Sequence, residues 1–209
     1  MFSCVAYPEQ TNFEFDRDTL HSETPVVTQF NNIIHKDEAD YLIDKANTIG
    51  MAPSTVKTKD GSSLDPGRTS TTAFFKKGHD NVVSCIERKI ASAANEPIEN
   101  LEPLQVTRYN QHQQYKPHYD WFPNVKPGTG QRTKTVFTYL QGLENTDGDC
   151  GGATAFPKLK TDDQMLKVRP ISGNAVMWPN VTENGEGNEL TLHAGEPVTC
   201  DGVIKIGLN

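Results

Sequence analysis

The chain has 209 residues, of which 35% are apolar and 22% charged, with a formal net charge of −7 at pH 7. That length fits one domain, or one domain with a helical extension, and lets most of the surface of the unfolded chain be buried. The acidic balance, with no basic block, argues against nucleic acid as the main partner, and no apolar run approaches the length that spans a bilayer.

Residues 1–25 are polar and irregular and read as a loose arm. The opening "MFSCVAYPEQ" has neither a basic segment nor a long apolar run and does not read as a signal peptide. An intracellular protein is expected, with the secretory pathway as the alternative if a leader has been removed. "PVVTQFNNII" (25–34) starts as a strand and ends in a turn. From Lys36 to Ile49, apolar residues at Ala39, Leu42, Ile43, Ala46 and Ile49 keep helical spacing, and Gly50 closes the helix. "KTKDGSSLDPGR" (57–68) is rich in turn residues and is expected to be a mobile loop. "TSTTAFF" (69–75) alternates as a strand does. Asp80 caps a second predicted helix with Val82, Val83, Ile86, Ile90 and Ala93 on one face.

After Pro97 short strand-like runs alternate with turn signals: "LQVTRYN", "YKPHYDWF", "KTVFTYL", "ATAFP", "QMLKVRP", "GNAVMWP", "ELTLHAG" and "GVIKIGL". Such spacing predicts an antiparallel sandwich or barrel, and "NTDGDCGG" (145–152) reads as a hairpin connection. The fold class expected is mainly β with flanking helices. One domain, 1–209, comprises the arm, a helical and strand support region at 26–97 that braces one sheet, and a β-core at 98–209. Four scattered cysteines, Cys4, Cys85, Cys150 and Cys200, include no C-x-x-C pair and are expected as buried free thiols, or as disulfides in a secreted protein. Asn180-Val181-Thr182 is a glycosylation sequon, a triplet that is common by chance.

In "YKPHYDWF", residues two apart on a strand face the same way, so His118 and Asp120 project together. Alone, such a pair is an ordinary neighbouring pair. His193, late in the β-region, is a third donor that a barrel can bring beside them. Two imidazoles and one carboxylate leave three of six octahedral positions open, which suits non-haem Fe(II) oxygenases. Lys205 sits in an otherwise apolar last strand, where burial is costly unless the charge is paired. Fe(II), Asp120, a 2-oxoglutarate dianion and Lys205 would together be neutral. An outward-facing lysine is the plainer alternative.

The stretches "VTRYNQHQQYKPHYDWF", "GQRTKTVFTYL", "CGGATAFP", "SGNAVMWPN" and "LHAGEPV…KIGLN" resemble the prolyl 4-hydroxylases among the Fe(II)/2-oxoglutarate dioxygenases, and "GRTSTTAFF" looks like the substrate-loop segment of that family. The resemblance covers roughly residues 66–209. It implies a double-stranded β-helix (jelly-roll) core, iron ligands at His118, Asp120 and His193, and 2-oxoglutarate contacts from Tyr109, Thr154 and Lys205. Arg132 and Tyr115 match positions on the substrate side of the pocket, and the 57–68 loop is a candidate lid. The implied reaction is hydroxylation of a C–H bond on a prolyl residue of a peptide or protein, using O2 and 2-oxoglutarate, with ascorbate as reductant and release of succinate and CO2. Asp120 favours hydroxylation over halogenation, because halogenating relatives lack that carboxylate. A small metabolite is the alternative substrate; a zinc hydrolase and a non-catalytic jelly-roll binding module are the alternative functions. Two features depart from the family pattern. The interval from His193 to Lys205 is about two residues longer, which a bulge in "EPVTCDGV" would absorb; otherwise Arg169 is the fallback anchor. The sequence as given ends at Asn209, where relatives usually continue with an aromatic-bearing segment.

Overall fold

The computed structural model of the chain describes residues 3–58, 61–125, 130–146 and 148–209. In chain order the strands and α-helices are β1 (Asp16–His21), β2 (Val27–Asn31), α1 (Lys36–Ile49), β3 (Ala52–Pro53), β4 (Thr55–Thr58), β5 (Gly61–Leu64), β6 (Thr71–Phe74), α2 (Asn81–Ala94), β7 (Gln105–Tyr109), β8 (Tyr115–His118), β9 (Lys134–Gln141), β10 (Thr154–Thr161), β11 (Gln164–Val168), β12 (Ala175–Pro179), β13 (His193–Gly195) and β14 (Lys205–Leu208). Both helices match the sequence reading. Asp80 accepts a hydrogen bond from Val83 N at 3.0 Å, satisfying one orphan donor of the first turn of α2. Gly50 ends α1 at φ +96°, a conformation that favours glycine.

The strands form a major sheet in the order β1-β2-β12-β9-β14-β7-β6-β3 and a minor sheet in the order β11-β10-β13-β8. Paired strands run antiparallel throughout. This is the jelly roll. Strand alternation divides the core in two. On the outer face of the major sheet, Ala175, Leu140, Ile206 and Leu208 pack with Leu42, Ile86 and Ile90 of the helices. On the inner face Val176, Trp178 and Tyr139 pack with Phe156, Leu159, Leu166 and Val168 of the minor sheet. On β14 the same rule turns Lys205 and Gly207 inward. A Cβ on Gly207 would come within 2.2 Å of Phe137 Cζ, so this strand approaches that ring without a side chain between them.

Several expectations are corrected. The cysteines are not free thiols: Cys4 bonds to Cys85 and Cys150 to Cys200. The 1–25 arm is not loose over its described residues. Cys4 is fully buried, its N–H donates to Glu38 Oε1 at 2.7 Å, and β1 pairs with β2. The 57–68 stretch contributes to a two-stranded ribbon, β4–β5, rather than a free loop, with residues 59–60 outside the described residues. Residues 145–152 are not a hairpin, because β9 and β10 belong to different sheets; Asp147 lies outside the described residues. Glu189–Thr191 is a 3-10 turn, so only His193–Gly195 of "ELTLHAG" is strand. Asn180 of the sequon is fully buried, which closes it to a glycosyl group. Among the described residues no helix is long and apolar enough to cross a membrane.

Candidate active site

β8 and β13 are neighbours in the minor sheet, and His193 is the register partner of His118. Asp120 lies just beyond the end of β8, not on it, so a bend rather than strand alternation turns its carboxylate toward the two rings. One donor atom from each of His118, Asp120 and His193 lies within 4.8 Å of the others. His118 Nε2 is 3.7 Å from Asp120 Oδ1, and His193 Nε2 is 3.6 Å from Asp120 Oδ2. Both gaps exceed a hydrogen bond, yet each is less than twice the metal–ligand distance of about 2.0–2.2 Å.

The rings are pre-set in one tautomer. His118 Nδ1 lies 2.8 Å from Lys116 O, and His193 Nδ1 lies 2.9 Å from Thr191 O. A carbonyl only accepts, so each Nδ1 carries the proton and each Nε2 presents a lone pair to the site. Burial, and then the neighbouring His193, push His118 down to about 4, so its ring is neutral at pH 7. Burial pushes the Asp120 carboxyl up, but His193, His118 and the Thr135 hydroxyl outweigh it and hold it below its usual range. Thr135 Oγ1 donates to Asp120 Oδ2 at 2.6 Å and accepts from Asn180 Nδ2 at 2.8 Å. The Trp178 ring packs 4.6 Å from His193, and Tyr115 stacks on His118 at 3.5 Å. This donor set suits a divalent transition metal with open positions.

Behind it lies the pocket wall of β7 and β14. Lys205 is the register partner of Tyr109, and its Nζ sits 4.5 Å from the Tyr109 ring centroid. Only 1% of Lys205 is exposed, and burial lowers its ammonium to about 7, with Glu196 opposing the shift. Gly152 O accepts from Nζ at 2.7 Å. Among the described residues no carboxylate forms an ion pair with it. A three-donor cation with one carbonyl partner fits an anionic ligand such as a dicarboxylate. Tyr139 Oη lies 2.7 Å from Thr154 Oγ1 and 3.3 Å from Val168 O, which fixes the Thr154 hydroxyl at the pocket wall. Lys205, Tyr109 and Thr154 therefore line one cavity with the three metal-ligating candidates. Arg169, the alternative anchor, is exposed and is not among the residues that line this cavity.

Arg132 and Tyr115 line the same cavity, and Tyr115 packs against the cluster that contains Tyr109. Arg132 holds Glu102 in a two-pronged ion pair at 2.6 and 2.9 Å and lies over the Phe122 ring. Sequence reasoning did not single out Arg68, whose guanidinium packs 4.8 Å over Tyr115, nor Thr135 or Gly152, and it read Asn180 only as part of a sequon. All four sit inside motifs already quoted; what was missing was the spatial contact that gives each a role.

The profile of the family described as the 2OG-Fe(II) oxygenase superfamily matches residues 104–209. Prolyl 4-hydroxylase 5 of Arabidopsis thaliana is 34% identical, over 83% of this chain and 64% of that protein. Probable prolyl 4-hydroxylase 6 of the same plant is 31% identical, over 93% of this chain and 73% of its own length. The chain spans a little under two thirds (62–64%) of the first curated relatives it matches. The crystal structure of a viral collagen prolyl hydroxylase from Paramecium Bursaria Chlorella virus-1, in its 2OG complex, superposes with a TM-score of 0.66 at 27% identity, covering 87% of this chain and 92% of that one.

Proposed function

Because the chain belongs to the 2OG-Fe(II) oxygenase superfamily, alongside its prolyl 4-hydroxylases, we propose that it hydroxylates a C–H bond of a prolyl residue in a peptide or protein, converting 2-oxoglutarate and O2 to succinate and CO2. In this reading His118, Asp120 and His193 hold Fe(II), and ascorbate serves as reductant. Bound iron and 2-oxoglutarate supply the O2 activation that protein side chains lack. Lys205 pairs with the far carboxylate of 2-oxoglutarate, and Tyr109 and Thr154 donate to it. The Nδ1 bonds of both histidines keep the Nε2 atoms aimed at the metal, and the Thr135 hydroxyl fixes the Asp120 carboxylate. Trp178 and Phe156 shield the His193 side from water. Tyr115 and Arg132 orient the substrate at the opening, and the β4–β5 ribbon is positioned in sequence to act as a lid beside Arg68.

The single observation that carries the proposal is the convergence of two imidazoles and one carboxylate within 4.8 Å. Lys205, buried in the same cavity without a carboxylate ion-pair partner among the described residues, supports 2-oxoglutarate over a simple hydrolytic metal site. The two disulfides support an oxidising compartment such as the secretory pathway.

The test is incubation with Fe(II), ascorbate, 2-oxoglutarate and proline-containing peptides, with succinate and a 16-dalton peptide gain followed together. Both signals should disappear in His118→Ala and Asp120→Ala. Turnover with zinc and without 2-oxoglutarate would instead make the protein a hydrolase. Ligand binding that survives chelation, without turnover, would make it a binding module.

A further inference from the structure

The Cys150–Cys200 disulfide lies behind the pocket that holds Lys205. Cys150 opens the Gly151–Gly152 step, and Gly152 O is the acceptor for Lys205 Nζ at 2.7 Å. Cys200 lies five positions before Lys205, within the connection from β13 to β14. Backbone hydrogen bonds cross the same seam: Gly152 N donates to Pro197 O at 2.9 Å, Thr199 N to Cys150 O at 2.9 Å and Glu196 N to Ala153 O at 2.8 Å. The connection is tied on its other side as well. His112 N donates to Val198 O at 2.7 Å, in the turn between the strands that carry Tyr109 and His118. Val198 is fully buried in a small cluster with Cys150, Leu143 and Tyr109, the last being the ring beside Lys205. Gly152 has φ +70°, and a Cβ there would press to 2.8 Å from Leu143 Cδ1, so this backbone is closely packed against the same cluster.

The other disulfide has no such neighbours. Cys4 and Cys85 join the N-terminal segment to α2, in the core on the opposite face of the major sheet. The Cys150–Cys200 bond instead ties the long interval between His193 and Lys205 to the segment that carries Gly152. Without that covalent tie, only backbone hydrogen bonds would hold the connection to the segment that carries the Gly152 carbonyl.

We propose that the Cys150–Cys200 disulfide is a positioning element of the 2-oxoglutarate site. It fixes Gly152 and the 196–204 connection together, so that Lys205 and Tyr109 are already arranged for the far carboxylate when the co-substrate arrives. The proposal rests on the functional reading above. Pre-organisation of this kind acts on co-substrate affinity, while the metal donors on β8, on the bend beyond it and on β13 stay where they are.

The experiment titrates 2-oxoglutarate into anaerobic Fe(II)-loaded protein by calorimetry. It compares wild type with Cys150→Ser/Cys200→Ser and with Cys4→Ser/Cys85→Ser. The first double variant should bind 2-oxoglutarate about tenfold more weakly or worse. Its Fe(II) affinity, and its kcat at saturating 2-oxoglutarate, should stay within about twofold of wild type. The second should keep 2-oxoglutarate affinity within about twofold while melting at lower temperature. If the first variant does not fold, the second, which retains only Cys150–Cys200, is reduced with dithiothreitol. Two protein thiols and cyclic oxidised dithiothreitol form, and affinity should fall, then recover on reoxidation. Unchanged 2-oxoglutarate affinity, or an equal loss of Fe(II) affinity, overturns the positioning role alone. Failure of wild type to bind 2-oxoglutarate overturns the functional reading and the positioning role with it.

Discussion

His193 faces His118 across the β13–β8 ladder, with ring centroids 4.2 Å apart. The ladder therefore brings together two donors from opposite ends of the β-region, and Asp120 closes the third corner. With three donors among the described residues, loss of any one leaves a two-point site. Alanine at His118, Asp120 or His193 should weaken Fe(II) binding by more than about a hundredfold, beyond what outer-shell changes cost. Anaerobic equilibrium dialysis measures this, with circular dichroism as a check on folding. A variant with wild-type Fe(II) affinity would remove that side chain from the metal site.

Thr135 and Asn180 should matter almost as much. The Asp120 carboxylate can only accept, so the single Thr135 proton must point at it and Asn180 must donate to Thr135. Thr135→Val keeps the shape and removes the hydroxyl. Fe(II) affinity should fall about ten- to a hundredfold, and Thr135→Ser should restore most of it. Equal affinity in Thr135→Val and wild type would show that Asp120 needs no such support.

The strands that build this site were legible because their alternation is strong: in "NAVMWP", Val176 and Trp178 face one core while Ala175 and Met177 face the other. Helix ends were legible from Asp80 and Gly50, whose roles are local. Lys205 drew notice through cost, a charge within an apolar strand. The disulfides were not legible, because partners 81 and 50 residues apart carry no pairing signal in their spacing. The N-terminal arm misled because β1 is a polar, largely exposed edge strand without inward alternation. Threonine on a strand is ordinary, so Thr135 gained meaning only when Asp120 was seen 2.6 Å away.

Lys205 gives a pH signature. Burial lowers it to about 7 from the usual 10.5. Between those values the unfolded chain holds a proton that the folded, ligand-free chain lacks. Stability of the ligand-free protein should therefore gain from this group as pH rises from about 7 toward 10.5. Binding of a dicarboxylate runs the other way, because it needs the ammonium. Above pH 7, 2-oxoglutarate affinity should fall by up to about tenfold per pH unit, with net proton uptake. Calorimetry in buffers of different ionisation enthalpy reads that uptake. Lys205→Arg should bind without it, and Lys205→Met should lose about ten- to a hundredfold in affinity. Proton uptake that persists in Lys205→Arg would assign the titration to another group.

Glu38 and Lys89 form a 2.5 Å ion pair with both side chains fully buried, on the helix side of the major sheet. Glu38 also accepts from Cys4 N at 2.7 Å and His35 N at 2.8 Å, so it joins the N-terminal segment, α1 and α2. Removing one charge strands the other in the core. Lys89→Met or Glu38→Gln alone should cost about 3–5 kcal/mol, a fall in Tm of roughly 6–20 °C for a chain of this size. The double variant leaves no unpaired charge, although its single amide oxygen serves only one of the two backbone donors, because Cys4 N and His35 N bind different carboxylate oxygens of Glu38. Its loss should be smaller than the sum of the singles by at least about 1 kcal/mol. Thermal melts of the four proteins measure the difference, and strict additivity would show that the two charges do not support each other. Fe(II) and 2-oxoglutarate affinity should be untouched throughout, because the pair lies across the sheet from the metal donors.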